Sequence, residues 1–154
     1  MTKARVLVFL QFGLLGALLM VPQDTSVDSP EIFTWLAPGL QILALTILIL
    51  AAIALRPALT VSPIPRADAP LITKGIYKYI RHPMYSAVIA IGASIMLLNP
   101  TLITYILWIL LVLTLMNKAE YEDGLLRTKH QDAVKYQLRT GTFAPKLRKV
   151  NEIS

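Results

Sequence analysis

Five residues able to bind or orient a ligand lie together where a polar segment meets a long uncharged run. They are Tyr77, Tyr79, Arg81, His82 and Tyr85, and Pro83 fixes the local backbone. A residue before proline is pushed out of the helical region, so His82 is predicted to cap a helix that begins at Pro83. The free N–H groups of a helix start suit an anionic group of a ligand. The stretch therefore predicts either a ligand site or a set of polar anchors at a membrane edge.

A second group of candidate side chains is acidic and comprises Glu120, Glu122 and Asp123. Two leucines follow Glu122 by three and four residues, so Glu122 is predicted to share their helix face and to point inward. An inward carboxylate at a membrane edge needs a partner, either the arginine–histidine pair of the first group or a cationic ligand. Glu120 and Asp123 are predicted to point elsewhere, into solvent.

Composition restricts the class of protein. Of 154 residues, 55% are apolar and 16% are charged, which is typical of a membrane protein rather than a soluble domain. The chain has no cysteine and two histidines, which excludes disulfides and cysteine nucleophiles and argues against a metal centre. The net charge of +6 is interpreted as a signal of membrane orientation, not of nucleic-acid binding.

The uncharged runs predict an all-α integral membrane protein, a single domain over residues 1–154 that contacts the lipid bilayer. Asn99-Pro100 divides the longest run and indicates a turn. Four spans result, and Gly141 is predicted to stop a charged cytoplasmic helix over 118–140 that follows them. The spans are predicted at about 4–21, 35–55, 83–98 and 100–117. A signal peptide is the alternative for the first of them.

The positive charges predict the orientation of these spans. Of the fifteen Lys and Arg residues, two precede the first span, five lie between the second and third, and eight follow the fourth. All fifteen then lie on one side of the membrane. The positive-inside rule places that side, with both termini and the 71–85 segment, in the cytoplasm.

The stretch L-I-T-K-G-I-Y-K-Y-I-R-H-P-M-Y resembles the signature of the isoprenylcysteine carboxyl methyltransferase family and its phospholipid methyltransferase relatives. The family's later E-E-x-x-L and Y-x-x-Y elements are matched in spacing by Glu122, Leu125 and Tyr136, followed by Pro145. The resemblance covers residues 71–145. It departs at Tyr121, where the family has a glutamate, and at Asn117, which with Lys118 replaces a substrate-facing arginine.

The resemblance implies S-adenosylmethionine as methyl donor, bound by segments 71–85 and 117–136. It implies Glu122 and Asn117 as catalytic residues. The implied cofactor-binding residues are Leu71, Ile72, Tyr77, Arg81, His82, Pro83, Met84, Tyr85, Glu120 and Glu122. The expected acceptor is a lipophilic or small thiol, amine or carboxylate.

Two other functions are compatible with the sequence. Some membrane reductases that use a nicotinamide cofactor carry a similar H-P-x-Y turn, although the short polar loops here leave little room for a dinucleotide. The changes at Asn117, Tyr121 and Ala133 also leave open a membrane subunit without catalytic activity.

Overall fold

A computed structural model describes residues 2–56 and 71–146, and within them the fold is helical with no β-strand. The predicted Pro-rich linker, apart from its two ends, and the basic tail beyond Lys146 lie outside the described residues. A short 3₁₀ turn, Gly75–Lys78, precedes the third of five α-helices. The helices are α1 (Thr2–Met20), α2 (Glu31–Leu55), α3 (Pro83–Leu98), α4 (Leu102–Lys129) and α5 (Ala133–Arg139).

The helix boundaries confirm part of the sequence prediction and correct the rest. Helix α3 covers the predicted residues 83–98, with His82 as its non-helical cap (φ −121°, ψ 60°). Helix α2 begins at Glu31 rather than at residue 35 and keeps Pro38 in its second turn. Because proline has no N–H, α2 lacks the hydrogen bond that residue 38 would otherwise donate to the Thr34 carbonyl.

The prediction of a separate helix over residues 118–140 was wrong. Residues 118–129 continue α4, because no proline or other strong helix breaker interrupts the helix between its apolar and charged parts. Helix α4 ends at Lys129, with His130 as its C-cap, and the seven-residue α5 follows after a short turn. The acidic group therefore stands on a rigid extension of α4.

Three of the helices, α1, α2 and α4, are long and apolar enough to cross a membrane, and α3 is a shorter apolar helix. Many of their large apolar side chains point outward, and Phe9 and Trp35 are 78% and 73% exposed. An exposed apolar surface of this extent suits a lipid environment and would be unfavourable in water. The fold is that of an integral membrane protein.

Small residues decide how the helices pack. On α2, Ala37, Ala44 and Ala51 recur every seven residues and are fully buried, and this helix packs along α3. A Cβ on Gly92 of α3 would lie 3.0 Å from the Trp108 ring on α4. Small side chains of this kind let helix backbones approach closely, which is how helices associate in lipid. Helix α1 packs mainly on α4, so α4 lies between α1 and α3.

Asn99 ties the two turns at the end of the bundle away from the acidic group. Its Nδ2 donates to the Pro22 carbonyl (2.9 Å), its Oδ1 accepts from the Asp24 N–H (3.3 Å), and it is buried. Its own carbonyl accepts from the Thr104 hydroxyl. The α1–α2 and α3–α4 connections are thereby fixed to each other.

Replacing Asn99 with Ala should lower the free energy of unfolding by about 1–3 kcal/mol, because the Pro22 carbonyl and the Asp24 N–H lose their partner. Thermal unfolding in detergent measures the change. Thr34→Ala is the control, since that exposed hydroxyl bonds only to a carbonyl of its own helix, that of Glu31. Equal stability of the two variants would contradict the prediction.

Candidate functional site

Asp123 is the centre of a buried polar cluster where the start of α3 meets the charged end of α4. One carboxylate oxygen accepts from Arg81 Nε and the other contacts His82 Nε2, each at 3.0 Å. The Asp123 side chain is 10% exposed. The prediction that Asp123 is solvated was wrong. At helical spacing Asp123 falls one turn beyond the fully buried Ala119, so it faces the bundle rather than water.

Glu122 contacts the other edge of the same imidazole. It accepts from the Tyr85 hydroxyl at 2.7 Å, and its second oxygen lies 3.7 Å from His82 Nδ1. His82 and Tyr85 stack, with ring centroids 5.2 Å apart and planes 7° apart. Glu122 thus points inward as predicted and meets the predicted histidine, although Leu125, expected to be buried on the same face, is 43% exposed.

The contact with Asp123 fixes one proton of His82. An ionised carboxylate only accepts hydrogen bonds, so Nε2 carries a proton and donates to Asp123. At the other edge of the ring, Nδ1 lies 3.7 Å from a Glu122 oxygen. A donor or cationic group of a ligand would be stabilised beside that carboxylate.

Arg81 holds the C-terminal segment against this cluster. Besides Asp123, its guanidinium donates to the carbonyls of Gln137 and Thr140 and to the Thr142 hydroxyl. Residues 140–143, which we call the strap, also pair with the backbone of 79–82, and their contacts there include a bridge between Ile80 and Gly141. All three guanidinium nitrogens are thus used within the protein, so the primary role of Arg81 is to position the strap.

Aromatic residues and Ser86 complete the attachment of the strap. Phe143 lies 6.4 Å from the His82 ring, between centroids, and its carbonyl accepts from the Ser86 hydroxyl. The Tyr136 hydroxyl donates to the Tyr77 carbonyl at 2.7 Å. Burial raises the pKa of both Tyr77 and Tyr136 to about 12, so both phenols stay neutral at physiological pH. Their contribution to stability is full below about pH 10 and is lost as the pH rises toward 12.

A cleft of about 590 Å³ opens beside the cluster, between α4 and the strap. Its size falls within the ~300–1,000 Å³ of small-molecule sites. Side chains of both charges line it, together with apolar side chains. The lining residues are Arg81, Leu113, Met116, Asn117, Glu120, Asp123, Arg127, Gln137, Thr142 and Phe143.

The predicted site residues differ in whether they join the His82 cluster, line the cleft or do neither. Pro83 stands at the buried start of α3 with the cluster, whereas Met84 is 41% exposed. Asn117 and Glu120 are exposed on the cleft wall, and the Asn117 amide donates to the Leu113 carbonyl of its own helix. Leu71, Ile72 and Tyr77 are half-buried, and none of the three lines the cleft.

Sequence reasoning did not find Gln137, Thr142 and Phe143, which reach the cleft from beyond the charged part of α4. Each is a common residue type without motif spacing. The burial of Asp123 could have been predicted from the sequence, because this residue follows Leu115 and Ala119 at intervals of four residues.

The model of the isoprenylcysteine carboxyl methyltransferase (ICMT) family matches residues 36–128 of the chain. The protein belongs to the ICMT family. Comparisons with curated proteins and with solved structures find no match. The ICMT match contains most of α2, all of α3 and nearly all of α4, and therefore every residue of the His82 cluster. Helix α1, α5 and the strap lie outside the matched residues.

Proposed function

We propose that this ICMT-family protein is a membrane methyltransferase that uses S-adenosylmethionine and methylates a lipophilic or small thiol, amine or carboxylate. The family match carries the proposal, because ICMT is a family of methyltransferases. The cluster around His82 and the adjoining cleft are the site that we propose for this activity.

The residues of the cleft and cluster suit S-adenosylmethionine. This cofactor carries a sulfonium, an ammonium, a carboxylate and an adenine ring. The Glu122 carboxylate would hold a cationic group, and the exposed carboxylate of Glu120 adds negative charge at the cleft wall. Arg127, exposed on the same wall, and the helix start at Pro83 suit the cofactor's carboxylate. The Phe143 ring offers an aromatic face.

When bound, the cofactor supplies an electrophilic methyl group. The side chains of this protein bind and orient the reactants more than they exchange protons. Asp123 fixes the His82 ring, and Tyr85 fixes the Glu122 carboxylate through its hydroxyl. The strap and its Phe143 restrict water on one side of the ring. Glu122 is the proposed catalytic residue, whereas Asn117 is proposed only to line the cleft.

We also propose four membrane crossings, with both termini and the site in the cytoplasm. The distribution of all fifteen Lys and Arg residues supports this topology. Helix α3 has 16 residues and is ~24 Å long, shorter than the ~30 Å hydrocarbon layer, so local thinning of the bilayer would accompany it. Helix α4 has 28 residues and reaches ~42 Å, so its charged end extends out of the layer.

Titration of the purified protein with S-adenosylmethionine by calorimetry tests the cofactor assignment. His82→Ala and Glu122→Gln should each weaken binding about tenfold to a hundredfold, which corresponds to the loss of one charge-assisted hydrogen bond. Glu31→Gln, an exposed carboxylate at the start of α2, should bind as the wild type does. Absence of binding by the wild type would reject the proposed function.

A further inference from the structure

The outer face of α5 combines large apolar side chains with cations. Val134 and Leu138 lie four residues apart on this face, and Leu138 is 65% exposed. Lys135 and Arg139 have the same spacing and are also exposed. The opposite face packs on the protein and includes the fully buried Ala133. Apolar and basic side chains side by side are typical of a helix that lies in the interface of a membrane.

The contacts of α5 fix the depth of this face. The apolar helix α3 begins at Pro83, and the strap pairs with the backbone of residues 79–82 directly before it. Because α5 ends at Arg139, immediately before the strap, its last turn lies at the level of the start of α3. The Tyr136 hydroxyl, which donates to the Tyr77 carbonyl, holds the inner face of α5 against the same segment. With α3 as the third of the crossings proposed above, the outer face lies at the depth of the lipid headgroups.

Residues from both ends of this contact extend the face. Tyr79, whose carbonyl accepts from the Gly141 N–H, is 56% exposed, and the Lys78 ammonium lies 5.8 Å from the centroid of its ring. Lys146 donates to the Leu138 carbonyl at 2.7 Å, so its ammonium stands at the end of α5. We call this set the basic patch, and its members are Lys78, Tyr79, Leu138, Arg139 and Lys146.

The charge around the basic patch is of one sign. Residues 71–85 and 133–146 contain six Lys and Arg residues and no Asp or Glu. Arg81 turns inward to Asp123, and the other five cations are exposed. In the part of the chain that the structure describes, the one ion pair that any of these five forms within 4.0 Å joins Lys135 to Asp132, at 3.9 Å. An anionic lipid layer complements such a surface, because it neutralises the cations and also accepts the apolar side chains.

We propose that the basic patch binds the phosphate headgroups of anionic phospholipids, with Leu138 and Tyr79 inserted beside the upper carbons of the acyl chains. The planar guanidinium of Arg139 suits a phosphate, with which it can form two hydrogen bonds. Arg139 and Lys146 stand on either side of the strap, which lines the cleft. Bound lipid therefore anchors the strap to the membrane surface.

Local quenching of a fluorophore tests this interaction. The chain has no cysteine, so one introduced cysteine carries a unique label. Val134→Cys places the label on the outer face of α5, one turn from the basic patch, and Thr25→Cys places it in the exposed acidic connection between α1 and α2. Each full-length protein is reconstituted in phosphatidylcholine bilayers with an equal small fraction of nitroxide-labelled phosphatidylglycerol or nitroxide-labelled phosphatidylcholine, either of which quenches the label on contact.

The label at position 134 should be quenched by both lipids, and phosphatidylglycerol should be enriched there about fivefold, as expected for one basic residue near an anionic lipid. The label at position 25 should show no preference for phosphatidylglycerol. Added to Val134→Cys, Arg139→Gln should remove most of the preference, and Arg139→Lys should retain it. Retention by Arg139→Lys would show that the charge matters rather than the fold.

Lys129→Gln is the matched control for Arg139→Gln and should leave the preference unchanged. Both residues are exposed cations in the last turn of a helix. Lys129, however, stands ~18 Å along α4 from Asn117, where the uncharged run ends, and this exceeds the ~8 Å over which charges act at physiological salt.

Three results would overturn the proposal. Quenching of the label at position 134 by neither lipid would show that α5 faces the aqueous phase, which would leave the basic patch to an acidic soluble partner. Equal quenching by the two lipids, or an unchanged preference in Arg139→Gln, would show that the patch does not select anionic lipid. The samples contain no S-adenosylmethionine, so the outcome is independent of whether the protein is a methyltransferase.

Discussion

Asp123→Asn should lower the free energy of unfolding by about 3 kcal/mol and weaken S-adenosylmethionine binding at least tenfold. The change preserves volume, removes the charge between Arg81 and His82, and turns one acceptor oxygen into an NH2 donor. Removal of one partner from a buried ion pair costs ~3–5 kcal/mol. We expect the low end, because Arg81 keeps its contacts to Gln137, Thr140 and Thr142.

The binding of S-adenosylmethionine by Asp123→Asn should weaken for a separate reason. The asparagine amide has one acceptor oxygen, so it can accept from Arg81 Nε or from His82 Nε2 but not from both, and its NH2 group then faces the other donor. The His82 ring is therefore held less firmly, and its opposite edge no longer faces Glu122 in a fixed orientation. Chemical denaturation and calorimetric titration measure the two effects. Asp132→Asn is the matched control, since that side chain is 84% exposed and should change neither quantity. Equal behaviour of the two variants would show that Asp123 does not organise the site.

Gly141→Ala should detach the strap and destabilise the protein by about 1–3 kcal/mol. A Cβ at position 141 would lie 1.8 Å from the carbonyl oxygen of Ala144, a backbone atom that cannot move independently of the strap. Relief of this clash must disturb the hydrogen bonds of Gly141 to the backbones of Tyr79 (3.0 Å) and Arg81 (2.9 Å). We expect cofactor affinity to fall at least tenfold, because Phe143 and Thr142 leave the cleft.

Gly124→Ala provides the matched comparison for this variant. Nothing lies within 4 Å of a Cβ at that position on α4, and alanine is favoured over glycine in a helix by up to ~1 kcal/mol. Gly124→Ala should therefore be neutral or stabilising in the same thermal unfolding assay. If Gly141→Ala unfolded at the same temperature as Gly124→Ala, the strap would not depend on the close approach at Gly141.

Local rules explain which features were predictable. The start of α3 was predicted to the residue, because proline restricts both itself and His82. The cost of an isolated carboxylate predicted that Glu122 has a partner, either Arg81, His82 or a cationic ligand, and the structure places it beside His82. The end of α4 was missed, because a change from apolar to charged residues alters the surroundings of a helix without breaking its hydrogen bonds.

The sequence by itself determined the family, the apolar helices and the segments that meet at the site, since these depend on motif spacing, hydropathy and proline geometry. Only the tertiary structure decided which charge has which partner. It gave Asp123 rather than Glu122 to Arg81 and turned Asn117 back on its own helix. The physical reason is that the pairing of charges depends on how far helices rotate and approach. Small residues such as Gly92, which faces Trp108 and Leu111, set those distances through contacts remote in sequence.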